Sequence, residues 1–425
     1  MTDTYTSRII DAEIELLFAE LPALSLEGPK GVGKTATAQR RAATIFHLDN
    51  LTQREILAAD LDRLTKGRLP ILIDEWQRMP ESWDLVRRAV DADRTPGQFL
   101  LTGSASPQNP QTHSGAGRIV MLRMRPLSIA ERGLESPTVS LADLLVGGHP
   151  KVEGYTSVGL AEYTSEILSS GFPGIRHLSP RSARSQLDSY IDLIVDRDIP
   201  ESGRLIRNKG ALQRWMAAYA AGTATTASYE RIRKAAMSNQ GYVPARSATE
   251  PYREALERLW IVDPLPAWTP SRNYFSRLAL PPKHHLADPA LAARLLGLGF
   301  DDLLSGRGSG LEVAGGGSFL GALFESLVTQ SVRVYAQNAE ARVYHLRTRA
   351  GEHEVDLVVV GHDSRTIAIE IKLSQSVSDN DCKHLRWMQD KMGNDLSDAI
   401  VITTGHEAYR RKDGIAVVPA TLLGP

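Results

Sequence analysis

The segment Gly28-Pro-Lys-Gly-Val-Gly-Lys-Thr35 constrains this chain more than any other. Glycines at 28, 31 and 33 let a tight turn aim successive backbone N–H groups at one anion with no Cβ in the way. A short apolar run, Ala23-Leu-Ser-Leu26, precedes the octet, and Ala36–Ala43, rich in helix formers, follows it. Strand, glycine loop and helix in that order make a phosphate-binding loop. The expected contacts are Gly28, Pro29, Lys30, Gly31, Val32, Gly33, Lys34 and Thr35. Lys34 is expected to reach the β- and γ-phosphates of ATP, with the Thr35 hydroxyl on Mg²⁺.

A second element completes this chemistry. The β-branched run Pro70-Ile-Leu-Ile ends in Asp74 and Glu75. At a strand end beside a phosphate loop, Asp74 is expected to hold the Mg²⁺ water shell. Glu75 is then placed to take the proton of the attacking water. A third apolar run, Gln98-Phe-Leu-Leu, ends in Thr102-Gly-Ser104. Five strands follow from the pattern (24–26, 44–48, 71–73, 99–101 and 119–124), with helical stretches between the earlier ones. That order predicts an α/β parallel sheet with helices on both faces.

These motifs together resemble an AAA-type ATPase module. The resemblance implies that a polar residue on the inserted strand, Ser104 or Thr102, senses the γ-phosphate. It also implies an arginine before the fifth strand that reaches a neighbouring subunit's nucleotide. Gly117-Arg118 stands there, making Arg118 the candidate, with Arg78, Arg123, Arg125 and Arg197 as rivals. A finger in trans implies a homo-oligomer. The stretches Arg125–Glu131 and Gly171-Phe-Pro-Gly174 further resemble punctuation in a bacterial family of ATP-binding proteins. Its members join an AAA-type half to a C-terminal domain of unknown function.

The middle of the chain carries a local charge excess. Residues 202–247 hold eight basic side chains against one acid, Glu230. Such a stripe is either a solvated face or a phosphate-backbone footprint. Helical spacing of Leu212, Trp215, Met216 and Tyr219, a helix over 228–236, and a Ser247–Glu250 capping box opening a helix over 252–260 follow in turn. An extended edge after Trp260 completes the order of a winged helix-turn-helix. Arg231, Arg233 and Lys234 are the candidate DNA contacts. The other reading is a packing or protein-binding module.

The C-terminal part begins after the Gly306–Gly317 breaker. Phe319–Val332 reads as a helix carrying Glu325, followed by strands over 342–347, 354–360 and 366–372. Period-2 alternation puts Glu370 and Lys372 on one face of their strand. Asp356 precedes Glu370 by thirteen intervening residues. An Asp facing Glu-x-Lys is the PD-(D/E)xK nuclease arrangement, in which Asp356 and Glu370 bind Mg²⁺, Lys372 orients or deprotonates water, and Glu325 completes the shell. Val355 stands where that motif carries proline. The family just named has been grouped with this nuclease fold, which includes members that bind without cutting. His353, His384 and Cys382 match no tight metal spacing.

The expected division is an AAA-type domain at 1–135, a helical connector at 136–205, a winged-helix-like domain at 206–305 and a restriction-endonuclease-like α/β domain at 306–425. Composition agrees with several buried cores: 425 residues, 42% hydrophobic and 23% charged. With a single cysteine no intrachain disulfide can form, and no apolar run is long enough to span a bilayer. With no signal-peptide pattern at the start, the chain is expected in the cytoplasm, without a membrane partner. A net charge of −1 gives no global pull toward nucleic acid. Three function classes remain: an ATPase working on DNA, a nucleotide switch recruiting a protein partner, and a DNA-reading regulator whose oligomer state ATP sets.

Overall fold

The computed structural model describes residues 5–105, 115–201, 208–236, 246–269, 280–306, 318–348 and 351–425. The chain divides into two compact units. One holds 1–125, 196–206 and 254–261; the other holds 126–195, 207–253 and 262–425.

The first unit is built on five parallel strands. In chain order they are β1 (Ala23–Glu27), β2 (Thr44–His47), β3 (Ile71–Asp74), β4 (Phe99–Gly103) and β5 (Val120–Arg123). Their order across the sheet is β2-β3-β4-β1-β5. Every residue of β1, β3 and β4 is buried, as the unbroken apolar runs of a sheet covered on both faces require. Helix α1 (Ile10–Phe18) precedes β1, and α2 (Lys34–Gln39), α3 (Leu51–Ala59) and α4 (Glu81–Ala92) lie between later strands. Trp76 and Trp83 pack with ring centroids 4.4 Å apart, in a core with Ile73, Val86 and Leu101.

Register matters more here than packing. Parallel strands finish along one edge, and the pairs His47↔Asp74, Asp74↔Thr102 and Glu27↔Gly103 lie along it. Polar residues that end four separate apolar runs therefore gather in one row beside the loop after β1. A strand placed between those bearing the loop and the acids, here β4, is what brings Thr102 next to Asp74.

The second unit contains an eight-stranded mixed sheet. Glu354–Val360 is antiparallel both to Arg342–Arg347 and to Thr366–Lys372, and the latter is parallel to Leu396–Thr403. The long helix Phe319–Asn338, capped by Ser318, is buried along much of its length. Three helices, Lys209–Ala221, Tyr229–Ala235 and Arg246–Arg258, precede antiparallel bridges Val262↔Leu286 and Leu265↔Lys283. Leu212, Trp215, Met216 and Tyr219 are buried as their spacing implies, and Ser228 caps its helix by accepting from the Arg231 N–H.

Two local expectations shift. The third helix begins at Arg246, upstream of Ser247, so the Ser247 box does not open it. It ends at Arg258 rather than Trp260, which sits in a turn with φ 62°. Arg204, Arg207, the Arg246 and Ser247 side chains and residues 307–317 lie outside the described residues.

The Gly-Phe-Pro-Gly turn has a packing reason. The Gly171 N–H donates to Asp288 Oδ2 at 2.6 Å, and its carbonyl accepts from the Leu127 N–H at 2.8 Å. A Cβ there would meet the Leu127 carbonyl oxygen at 2.9 Å. Among the described residues no helix is long and apolar enough to cross a membrane.

Candidate active site

The phosphate loop is held from both sides. Gly31 and Gly33 take φ of 76° and 102°, a region where a Cβ is strained. A Cβ on Gly28 would stand 2.2 Å from the Met124 carbonyl oxygen. Arg8, buried, donates to the Val32 carbonyl at 2.9 Å and to the Arg125 carbonyl at 2.7 Å. Lys30, at the tip, pairs with Asp198. Lys34 opens α2 and is 5% exposed. Its Nζ donates to the Gly28 and Pro29 carbonyls at 2.8 and 2.9 Å. Burial lowers its pKa to about 8, against the opposing pull of Glu75, Glu27 and Asp74.

Asp74 is the hub of the row. Thr35 and Thr102 both donate hydroxyls to its Oδ1, at 2.6 and 2.5 Å, and His47 Nδ1 lies 3.0 Å from Oδ2. The Thr35 hydroxyl and the Asp74 carboxylate are hard oxygen donors of the kind Mg²⁺ takes, so this pair fits that ion. Glu75, one residue on, has φ 57°. Its N–H donates to Thr102 Oγ1 at 3.1 Å, and Ser104 and Gln77 both donate to its Oε2, at 2.8 and 2.5 Å. The two candidates of the sequence reading thus make different contacts: the Thr102 hydroxyl meets the Asp74 carboxylate and the Glu75 N–H, the Ser104 hydroxyl the Glu75 carboxylate.

Glu27, the last residue of β1, is a member of this row that motif reading missed. Its Oε1 accepts from Ser25 at 2.7 Å and Trp76 at 3.2 Å, while Oε2 is buried without a hydrogen-bond partner. Burial raises its pKa to about 7. A carboxylate closing an apolar strand directly before the glycine octet was the available signal; His47 and Gln77 had none.

Arg118 lies just before β5 and donates through Nε to Asp91 at 2.8 Å on the surface. Of its rivals, Arg78 and Arg197 pair with Glu201, and Arg123 stacks 3.7 Å over the Trp260 ring. The proposed DNA contacts lie on the helix Tyr229–Ala235. Arg231 and Lys234 are exposed, whereas Arg233 is half-buried and holds both oxygens of Glu230.

The C-terminal residues also converge, with an addition the sequence did not announce. Lys283, 1% exposed, points its ammonium at Glu325 Oε1 (2.7 Å) and Asp356 Oδ1 (3.1 Å), with Glu354 Oε1 at 3.6 Å. The other oxygen of Asp356 accepts from the Ile371 N–H at 2.9 Å. Lys372 donates to Glu370 Oε1 at 2.7 Å, and Glu370 Oε2 is buried without a partner. Burial and the Asp356 charge push Glu370 up to about 8; burial does the same to Glu325, against the pull of Lys283. Burial would raise Asp356 as well, but the Lys283 and Lys372 ammoniums hold it below the usual carboxylate range. Burial alone would discharge Lys283; the surrounding carboxylates outweigh it and raise its pKa.

Among the described residues no group of three or more His, Cys, Asp or Glu side chains could hold a metal ion. Where the sequence reading expects Mg²⁺ on Glu325, Asp356 and Glu370, one oxygen of Glu325 and one of Asp356 meet the Lys283 ammonium, and one of Glu370 meets Lys372.

Residues 21–132 match the model of an AAA domain. Residues 160–302 and 320–423 match two models described as domains of unknown function, DUF8612 and DUF4143. Uncharacterized proteins of Mycobacterium tuberculosis and Mycobacterium bovis are each 26% identical over 408 residues, covering 94% of this chain and 80% of theirs. Among solved structures, a Walker-type ATPase of Pyrococcus abyssi aligns with TM-score 0.38 at 16% identity, over 67% of this chain and 94% of its own. The Aeropyrum pernix ORC2 protein aligns with TM-score 0.30 at 17% identity, over 70% and 92%. From the matched model and the site together, the N-terminal segment is an AAA-type P-loop ATPase-like domain.

Proposed function

We propose that this chain is a Mg²⁺-dependent, ATP-hydrolysing AAA-type protein that works as a homo-oligomer and acts with DNA through its C-terminal half. The observation that carries the reading is the bonded row Thr35–Asp74–Thr102 with Glu75 held beside it by Ser104 and Gln77. ATP phosphates would meet the N–H groups of the loop, and Lys34 would leave two neutral carbonyls for the β- and γ-oxygens. Thr35 and Asp74 would hold Mg²⁺, whose charge offsets that of the phosphates. Glu75 would take a proton from a water whose oxygen attacks the γ-phosphorus, as the bond to the β-γ bridging oxygen breaks to give ADP and phosphate. Ser104, bonded to Glu75, would couple the γ-phosphate to that base. Arg118 would complete the site of a neighbouring copy.

The order of three helices followed by an antiparallel extended pair supports a winged-helix middle region, with Arg231 and Lys234 as its exposed cations. A second reading rests on Lys283: a C-terminal domain that binds a protein partner, or nucleic acid without cutting it, under control of the nucleotide.

Steady-state ATP turnover with and without double-stranded DNA tests both. Lys34→Ala is expected to lose nucleotide binding. Glu75→Gln is expected to retain ATP while turnover falls about 10²-fold or more. Equal turnover by Glu75→Gln and the parent protein would remove Glu75 from its role. Turnover indifferent to DNA would leave the partner-binding switch.

A further inference from the structure

The acidic cluster of the second unit is assembled from three separate stretches of chain. Glu325 comes from the long helix, Glu354 and Asp356 from one strand, and Glu370 from the next. Glu325, Glu354 and Asp356 lie within 3.6 Å of the Lys283 ammonium, and the two shortest bonds, 2.7 Å to Glu325 and 3.1 Å to Asp356, have the length of N–H···O contacts. Mg²⁺ holds its oxygens at about 2.1 Å and Ca²⁺ at about 2.4 Å. An ion in that position would have to share the same oxygens with a like charge.

Lys283 is not a loose arm reaching in. Its backbone exchanges two hydrogen bonds with Leu265, at 2.9 and 2.8 Å. Next to it, the His284 N–H donates to the Thr225 carbonyl and its carbonyl accepts from the Ala224 N–H, both at 2.8 Å. His345 Nε2 donates to the Pro281 carbonyl at 3.1 Å, and His285 Nδ1 lies 3.2 Å from Ser326 Oγ. The segment is fastened on both sides of the lysine, so the ammonium is fixed where it stands. Meanwhile Glu370 Oε2 faces the interior with no donor, an oxygen that a cation of higher charge would claim.

We propose that Lys283 is a built-in cation occupying the metal position of this site, so that the domain works without a divalent ion, and that removing the ammonium unmasks a divalent-cation site on Glu325, Asp356 and Glu370. The proposal stands apart from the ATPase reading and survives its failure.

The test is Mn²⁺ binding to the full chain, read by electron paramagnetic resonance without nucleotide. All proteins carry Asp74→Asn, so that the phosphate loop contributes no metal. The expected result is no Asp356-dependent Mn²⁺ in the parent. Lys283→Met is expected to bind Mn²⁺ about tenfold or more tightly than the parent, and adding Asp356→Asn removes that binding. The melting temperature of Lys283→Met should fall and recover as Mn²⁺ is added, because a ligand of the folded state alone stabilises it. Mn²⁺ bound by the parent and lost on Asp356→Asn overturns the first half, whether or not Lys283→Met folds. A folded Lys283→Met that binds no Mn²⁺, or one that stays unfolded with Mn²⁺ present, overturns the second.

Discussion

Two buried lysines define this molecule, and they are opposites. Lys34 rests on two neutral carbonyls, and burial pulls its pKa down to about 8. Lys283 rests on carboxylates, which raise its pKa against the same penalty. Both are desolvated, so burial does not distinguish them; the charge of their contacts does. Lys34 has no carboxylate in direct contact, only the more distant pull of Glu75, Glu27 and Asp74, and so has reason to meet an anion. Lys283 has its charge answered on several sides and nothing left to offer a substrate. A buried lysine beside acids invites a catalytic reading, yet this one already spends its ammonium on Glu325 and Asp356.

Stability gives the widest separation between the two. Lys283→Met leaves buried carboxylates unpaired and is expected to cost about 3–5 kcal/mol, whereas Lys34→Met removes a poorly compensated charge and should cost less than about 1 kcal/mol. Denaturant unfolding of the two variants checks this; equal losses would erase the distinction.

A pH experiment is next in size. Nucleotide phosphates restore the Lys34 charge that burial weakens, so binding takes up a proton. Lys34 is half-neutral near pH 8 in the free protein, and uptake should be about half a proton there. Affinity then falls as pH rises through 8, by at most about tenfold per unit. Calorimetry of ADP binding in buffers of different ionisation enthalpy reads the number; no uptake at pH 8 would make Lys34 as well compensated as Lys283.

The smallest effect is expected at Lys372, whose side chain is 32% exposed. Lys372→Met should cost about 1 kcal/mol or less, because Glu370, already raised to about 8, can take a proton instead. A loss approaching that of Lys283→Met would show that the two lysines carry the cluster jointly.

What the sequence made legible follows from how local each signal is. The octet at 28–35, the Asp74-Glu75 pair and the strands Glu354–Val360 and Thr366–Lys372 are contiguous patterns in which spacing alone sets the geometry. Telling the contacts of Thr102 from those of Ser104 required register: residues two apart on or just past one strand look alike until β3 and β4 pair. Lys283 lies 42 residues from Glu325 and 73 from Asp356, inside Pro281-Pro-Lys-His-His, which carries no periodic signal. The available hint was an excess of acids on apolar elements, Glu325, Asp356 and Glu370 with only Lys372 nearby, which implies a missing cation. The Ser247 box failed for a local reason, since the helix starts one residue before it and continues through Pro251.

The position of Lys283 bears on how such chains can be taken apart. The lysine lies within the stretch 160–302 and its carboxylate partners within 320–423, two stretches that match separate domain models. One electrostatic lock thus has its key on one module and its barrel on the other. A cut between them strands the acids on one fragment and the base on the other. Splitting this chain at that junction has to carry both halves of the lock or redesign it.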